Sequence, residues 1–99
     1  MSYLNFVLEH ARLAVLKLLA EAPAYRANDS VLAQAIDQLG LPVTRDQLRG
    51  QLAWLEEQGL VTLERPTPSL IVATGTARAL DVAAGRAVVP GVQRPGPGQ

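Results

Sequence analysis

The chain has 99 residues, of which 48% are hydrophobic and 18% are charged, and this composition is typical of one compact globular domain. Only 4% of the residues are aromatic, so we do not expect a deep aromatic-lined pocket for a large ligand or cofactor. Nine Lys and Arg residues balance nine Asp and Glu residues, which removes the general attraction of a strongly basic protein to nucleic acid. Any contact with nucleic acid would therefore depend on a local basic patch.

Cysteine is absent from the sequence, which excludes disulfide bonds and thiolate metal sites and agrees with a reducing compartment. The apolar N-terminal stretch contains several polar residues, so we expect neither a signal peptide nor a membrane span there. These residues are Glu9, His10, Arg12 and Lys17. We therefore expect a cytoplasmic protein that makes no membrane contact.

Apolar residues recur every three or four positions from residue 4 to residue 22, which predicts an amphipathic helix that ends before Pro23. One apolar stripe is expected to face the core and consists of Leu4, Val7, Leu8, Ala11, Val15, Leu18, Leu19 and Ala22. A second stripe on the opposite side contains Phe6, Leu13, Leu16 and Ala20.

An exposed second stripe usually marks an association surface, so the first helix is predicted to form a homodimer interface. The interface residues would be Phe6, Leu13 and Leu16. The alternative is that one chain covers both stripes itself, with Leu80 and Val82 of a later helix as candidate contacts.

A second helix is predicted after a loop over residues 23–28. Asp29 or Ser30 can cap its start, it reaches about Leu39, and Gly40 is expected to end it. The residues expected to face inward are Val31, Leu32, Ala35, Ile36 and Leu39.

A third helix is predicted from a capping box in which Thr44 and Gln47 can each satisfy a backbone N–H of the other. The helix should begin at Arg45 and end at Gly59. Its expected core stripe is formed by Leu48, Leu52 and Leu55. Because a short link joins the second and third helices, the pair has the form of a helix-turn-helix.

The remaining sequence predicts a hairpin, a short helix and a tail. Strands over residues 60–64 and 69–73 flank a proline-rich tip. A fourth helix can start with Thr74 or Thr76 as its cap and stop at Gly85. Residues 90–99 are rich in proline and glycine, which predicts a domain over residues 1–89 followed by a flexible tail.

The order of these elements is that of a winged helix-turn-helix domain. The most specific resemblance lies in the pattern Leu48-x-x-x-Leu52-x-x-Leu55-Glu56-Glu57-x-Gly59-Leu60-Val61. This segment resembles the end of the recognition helix and the first wing strand of MarR-like and ArsR-like bacterial regulators. The whole chain also resembles a small winged-helix protein carried by Mu-like bacteriophages and prophages. The resemblance implies a mainly α fold with a small antiparallel β-hairpin, of α+β type.

The resemblance further implies that the third helix enters the major groove of double-stranded DNA, while the wing contacts phosphate or the minor groove. The candidate DNA-binding residues are then Arg45, Gln47, Arg49 and Gln51 on the helix and Arg65 on the wing. The alternative for an arginine of this helix is a solvated charge paired with a neighbouring carboxylate. About six phosphate contacts would use most of the nine basic residues, so a dimer is expected to be the form that binds DNA.

Two functions therefore stay open at this point. The first is a dimeric DNA-binding transcriptional regulator of phage or prophage genes. The second is a winged-helix module that binds another protein and not DNA, because the centre of the third helix carries Asp46 and Glu57. Trp54 on the flank of this helix would be either a half-buried edge residue or an interface anchor.

Catalytic chemistry is not predicted, and neither a cofactor nor a metal ion is expected. His10 is the single histidine, so a zinc site would depend almost entirely on carboxylates. Gly75 and Gly85 are isolated glycines at helix boundaries and do not form a phosphate-binding loop. The sequence therefore predicts a protein that is not an enzyme.

Overall fold

The computed structural model describes residues 2–96. Within this range the chain forms an α+β fold of four α-helices and one three-stranded antiparallel sheet. The elements are α1 (Tyr3–Glu21), a short 3-10 turn (Pro23–Tyr25), β1 (Arg26–Asn28), α2 (Asp29–Gln38), α3 (Arg45–Glu57), β2 (Val61–Thr67), β3 (Leu70–Gly75) and α4 (Ala77–Ala83). The predicted α+β class and the order of the predicted elements are confirmed. No helix in this range is long and apolar enough to cross a lipid bilayer.

The sheet has the strand order β1-β3-β2, so the last strand in sequence lies at its centre. Ala73 of β3 stands opposite Ala27 on one side and Leu63 on the other. β1 was expected to be part of a loop, and that expectation is wrong. Three residues are too few to show an alternating pattern, and this strand exists only because β3 pairs with it from far along the chain.

The hairpin strands also run further than predicted. β2 continues through Arg65 and Pro66 to Thr67, which pairs with Leu70. The register shifts between Glu64 and Thr67. A proline lacks the N–H that a regular strand pair needs, so an irregular register is the form in which β2 can include Pro66.

The ends of the helices follow local signals closely. At α3 the Thr44 side chain accepts from Gln47 N and the Gln47 side chain accepts from Thr44 N, which confirms the predicted capping box. Gly40 and Gly59 have φ values of +81° and +74°, as expected for residues that end helices. Thr76 caps α4, in line with one of the two predicted possibilities.

The predicted cap of α2 needs correction. Asn28, and not Asp29 or Ser30, is the capping residue, and its Oδ1 accepts from Val31 N at 2.8 Å. Asp29 is the first residue of the helix, and its side chain is completely buried. Because Asn28 caps the helix, the Asp29 carboxylate is available for other partners.

The core lies between the four helices and one face of the sheet. Leu48, Leu52 and Leu55 of α3 are fully buried, which confirms the predicted stripe. On α2 the expectation fails for Val31 and Leu39, which are 54% and 59% exposed. This helix packs through a narrower stripe than expected, formed by Leu32 and Ile36.

The apolar residues of α1 are also distributed differently from the prediction. Leu13 and Leu16 are buried within the chain, at 5% and 0% exposure, whereas Leu4 is 56% exposed. α1 contacts α2, α3, α4 and β3, so one chain covers more than one side of this helix. The prediction that Leu13 and Leu16 lie exposed beside Phe6 as a dimer interface is therefore wrong. Phe6 itself is 48% exposed.

The C-terminal segment packs onto the domain. Val89 and Val92 are buried in the main core cluster, and Gln93 N donates to the backbone oxygen of Glu9 at 3.2 Å. The predicted tail is thus wrong for residues 90–93, because Val92 supplies apolar surface that docks them and Gln93 bonds to α1. Residues 97–99, which the same prediction included, lie outside the described residues.

Candidate nucleic-acid interface

A buried carboxylate joins three elements at one end of α3. Asp29 Oδ2 accepts from Arg45 Nε at 3.2 Å and from Arg49 Nε at 2.6 Å, and Asp29 Oδ1 accepts from Arg45 Nη2 at 3.2 Å. Ile71 N of β3 lies 3.4 Å from the same Oδ1. The Nη2 atoms of both arginines also donate to the carbonyl oxygen of Ser69 at the hairpin tip. We call this set of five residues the arginine clamp.

The positions of the clamp residues follow from the secondary structure. Arg45 and Arg49 are four residues apart, so they lie on the same side of α3, one turn above the other. Asp29 sits in the first turn of α2, where the positive end of the helix dipole favours a carboxylate. The start of β3 supplies Ile71, and the turn before it supplies Ser69. The clamp therefore ties α2, α3 and the β2–β3 hairpin together.

The electrostatics of the clamp are set by competition between burial and hydrogen bonding. Burial by itself would raise the pKa of Asp29, but hydrogen bonds from Arg45, Arg49 and the Ile71 N–H outweigh it and hold that pKa at about 2. At neutral pH the carboxylate is charged, so the three ionised side chains carry a net charge of +1. The clamp is thus a small positive centre whose negative member is hidden from solvent.

Both guanidinium groups keep an open side. The side chains of Arg45 and Arg49 are 44% and 30% exposed, while that of Asp29 is 0% exposed. Within residues 2–96 the Nη1 group of neither arginine has a hydrogen-bond partner. Unused N–H groups on two adjacent guanidinium ions suit an anionic group such as a phosphate.

The other predicted DNA-binding residues are not gathered at the clamp. Gln51 lies on the opposite flank of α3, where its Oε1 accepts from Arg12 Nε at 2.7 Å. The side-chain oxygen of Gln47 is occupied by the capping box. Arg65 is exposed on β2, in the same hairpin that carries Ser69. The structure therefore places three of the five predicted residues, Arg45, Arg49 and Arg65, on the clamp and its hairpin.

The flank of α3 that carries Gln51 is covered by α1 and the C-terminal segment. The Arg12 guanidinium lies 4.1 Å from the centre of the Trp54 ring, and its Nη1 donates to Gly91 O at 2.8 Å. Burial lowers the pKa of Arg12, against a smaller opposing effect of Glu9. Trp54 is half-buried, as one of its two predicted roles required, but the C-terminal segment and Arg12 cover it.

Between these flanks, the outward side of α3 carries only small or acidic side chains. Asp46, Gly50, Ala53 and Glu57 are all exposed. No positive charge lies along this middle line, so the positive character of α3 is confined to the clamp side. This arrangement limits how a polyanion could approach the helix.

Sequence reasoning missed Asp29, Arg12 and Ser69 as members of these clusters. Asp29 carried a signal, since an acidic residue near a helix start can be a cap, but its burial depends on arginines sixteen and twenty positions away. Ser69 takes part through its backbone oxygen, which no side-chain pattern reports. No group of three or more His, Cys, Asp or Glu residues that could hold a metal ion occurs in the described range.

The fold and the site together define a small α+β protein in which a buried carboxylate holds two arginines at the start of a surface helix. Over 93 residues the chain is 44% identical to "Uncharacterized protein gp26" of Escherichia phage Mu, a match that covers 94% of this chain and 95% of that protein. It therefore belongs to the same family as the phage Mu protein gp26, as the resemblance to Mu-like phage proteins led us to expect.

A relative also occurs in a bacterium. The chain is 42% identical over 78 residues to a Haemophilus influenzae protein that carries no functional name, and this match covers 79% of this chain and 76% of that protein. No family model matches the chain, and no solved structure matches it significantly.

Proposed function

We propose that the chain is a winged helix-turn-helix protein that binds double-stranded DNA and regulates phage or prophage genes. In this proposal α3 is the recognition helix and the β2–β3 hairpin is the wing. The order of the helices and the position of the β2–β3 hairpin after α3 agree with the fold that the sequence resemblance implies. The family relationship to a phage protein supports the phage context.

The arginine clamp carries this proposal. It presents two partly exposed guanidinium groups beside the hairpin, and Asp29 holds both in place before any ligand arrives. Side chains that are already ordered lose less conformational entropy when they bind. A clamp of this kind therefore favours contact with a DNA phosphate at the start of α3.

Phosphate contact fits Arg45 and Arg49 better than the base reading that the sequence suggested. Reading guanine requires an arginine to extend its guanidinium edge into the major groove. Here Nε and Nη2 of both arginines are already bonded to Asp29 and to the Ser69 carbonyl. Only the Nη1 side is available, which suits one oxygen of a nearby phosphate.

The number of basic contacts sets how strongly the DNA affinity is expected to depend on salt concentration. Arg45, Arg49 and Arg65 give about three phosphate contacts per chain, which corresponds to a slope of about −2.7 in log affinity against log salt concentration. Two chains acting together would give a slope of about −5.4. We therefore propose that tight binding needs a dimer and low to moderate salt.

A fluorescence-anisotropy titration tests the proposal, with duplexes from the DNA upstream of the chain's own gene as the probe. Arg65→Ala should weaken binding and reduce the salt slope by about one unit per bound chain, because it removes one phosphate contact. Arg86→Ala is the matched control, since this exposed arginine lies beyond α4 and pairs with Asp81. Absence of binding at low salt by the folded protein, or equal effects of the two variants, would contradict DNA binding.

A second candidate function is binding to another protein. The small, acidic middle of α3 favours it, because Asp46 and Glu57 would repel a DNA backbone that followed the helix axis. In that case Asp46→Asn and Glu57→Gln would weaken capture of the partner protein and leave DNA affinity unchanged. If DNA binding is the function, the same pair of changes should strengthen DNA binding.

A further inference from the structure

α1 carries a regular line of residues that runs from an exposed N-terminal end to a C-terminal half in which Leu13 is buried in the core. Their spacing alternates between three and four positions, which is the spacing of a coiled-coil seam. The line consists of Tyr3, Phe6, His10, Leu13, Lys17 and Ala20. Tyr3 and Phe6 at its N-terminal end are 80% and 48% exposed. A pair of large exposed aromatic side chains on one helix face is unusual for a monomer.

The C-terminal half of the same face contains a groove of about 430 Å³. Leu13, Ala14 and Leu18 line it from α1, and Leu39 and Leu41 line it from the end of α2 and the following link. Leu39 is 59% exposed, so the groove has an apolar wall that faces solvent. One helix face thus presents an exposed aromatic side chain at one end and an apolar groove at the other.

We infer that two copies of this chain associate through these faces of α1, antiparallel and around a two-fold axis, with Phe6 of each copy in the groove of the other. Antiparallel pairing brings the N-terminal half of one α1 opposite the C-terminal half of its mate. A two-fold axis makes the same contact twice, so one Phe6 side chain and one groove on each chain are enough to form the interface.

The charges of α1 favour the antiparallel direction. The helix has no acidic residue in its first turn and no basic residue in its last turn, so its own side chains compensate neither end of its dipole. Glu21 at the C-terminal end adds negative charge to the negative end of the dipole, and it also lines the groove. Antiparallel pairing brings the positive N-terminal end of the second α1 beside Glu21.

His10 lies at the middle of the face, next to Phe6. Its ring contacts that of Phe6, with the ring centres 4.4 Å apart. His10 Nε2 is buried and has no hydrogen-bond partner in the described part of the chain. Buried polar atoms are rarely left unpaired, so this nitrogen is an unsatisfied group inside the chain beside Phe6.

Sedimentation velocity over a concentration series, without DNA, tests the inference on the full chain. The wild type should form dimers, and Phe6→Glu should raise the dimer dissociation constant by at least ~100-fold, since symmetry counts each lost contact twice. Leu39→Glu should have a similar effect from the groove side. Leu4→Glu is the matched control, because Leu4 is 56% exposed on the opposite side of α1 and should leave the dimer intact.

Cross-linking tests the direction of pairing. The chain contains no cysteine, so single-cysteine variants report one contact each. A mixture of Phe6→Cys and Lys17→Cys chains should cross-link between unlike chains, whereas Phe6→Cys alone should not. Cross-linking of Phe6→Cys with itself would overturn the antiparallel arrangement.

The inference does not depend on DNA binding, and the two can fail separately. A wild type that stays monomeric throughout the concentration series would overturn it. So would a dimer that Phe6→Glu leaves intact, provided that circular dichroism shows a folded variant. A dimer that Phe6→Glu and Leu39→Glu weaken, but that binds no DNA, would support this interface and contradict only the proposed function.

Discussion

Asp29 is the residue on which the clamp depends, and its ionisation predicts how stability changes with pH. Its pKa is about 2 in the folded chain, below the ordinary value of 3.8. The charged carboxylate therefore stabilises the fold fully above about pH 4, and this stabilisation is lost as the pH falls through about 2. We expect the loss to be about 2 kcal/mol in the free energy of unfolding.

Chemical denaturation of the wild type and Asp29→Asn between neutral pH and pH 2 measures this effect. Asp29→Asn should be less stable by about 2 kcal/mol at neutral pH, and the difference should shrink as the pH approaches 2. Asp37→Asn is the control, because Asp37 is an exposed acid on the same helix and forms no ion pair within residues 2–96. A constant difference between wild type and Asp29→Asn would contradict the assigned role of the carboxylate.

Gly91 is the residue that lets the C-terminal segment approach Trp54. Its φ is +95°, and an added Cβ would lie 2.7 Å from Trp54 Cζ2. Gly91→Ala should therefore lower the free energy of unfolding by about 2 to 4 kcal/mol, from backbone strain and overpacking together. Tryptophan fluorescence should shift to longer wavelength as the segment leaves the ring.

Gly40→Ala is the matched control for that prediction. Gly40 has a similar φ of +81°, but an added Cβ would have no atom within 4 Å. This variant should show only the backbone strain, about 1 to 2 kcal/mol, and unchanged fluorescence. Equal losses of stability in the two variants would mean that the contact with Trp54 contributes nothing.

At the scale of elements, α3 depends on its capping box. Thr44→Ala removes the acceptor for Gln47 N, which lies 3.1 Å from Thr44 Oγ1. The free energy of unfolding should fall by about 1 kcal/mol in thermal or chemical denaturation. Ser2→Ala at the cap of α1 is the comparison, and it should have a smaller effect because the cap of α1 makes one side-chain hydrogen bond where the box of α3 makes two. A larger effect at Ser2 would contradict the importance given to the start of α3.

The elements that could be predicted from the sequence are those with local signals. Thr44 and Gln47 act across three positions, and Gly40, Gly59 and Gly85 end helices through their own backbone angles. The sequence therefore predicted all four helices and the hairpin. It also predicted five DNA-binding residues, of which Arg45 and Arg49 lie in the clamp and Arg65 on the adjoining hairpin, whereas Gln47 and Gln51 do not.

The features that could not be predicted depend on contacts between distant parts of the chain. β1 is a strand only because β3 pairs with it, and Asp29 is buried only because α3 and β3 enclose it. Val92 follows a glycine in a proline-rich segment, and its burial depends on the surface that α1 and α3 present together. Helical periodicity alone also placed Leu16 on the wrong side, since it does not show how many elements surround α1.

At the scale of the whole molecule, the two proposed surfaces lie on different helices. The DNA surface belongs to α3 and the hairpin, while the self-association surface belongs to α1. The formal net charge of zero means that neither surface gains from a general electrostatic field. Each function must come from local geometry, and pairing two chains is the way to double the number of arginines.

Coupling between the two surfaces is therefore a prediction for the whole molecule. Phe6→Glu should lower the salt slope of DNA binding from about −5.4 to about −2.7, because a monomer makes half of the phosphate contacts. Leu4→Glu should leave the slope at the dimer value. Anisotropy titrations at several salt concentrations measure both, and an unchanged slope in the Phe6→Glu monomer would contradict the coupling.

The central claim is that the arginine clamp and the hairpin contact DNA. Its most direct test is a titration of duplex DNA into ¹⁵N-labelled protein, followed by NMR. The Nε–Hε signals of Arg45 and Arg49 and the backbone amides of the β2–β3 hairpin should shift, and the Nε–Hε signal of Arg86 should not. A folded protein in which the clamp and hairpin signals stay in place, or in which only signals of α1 or the C-terminal segment move, would contradict the claim.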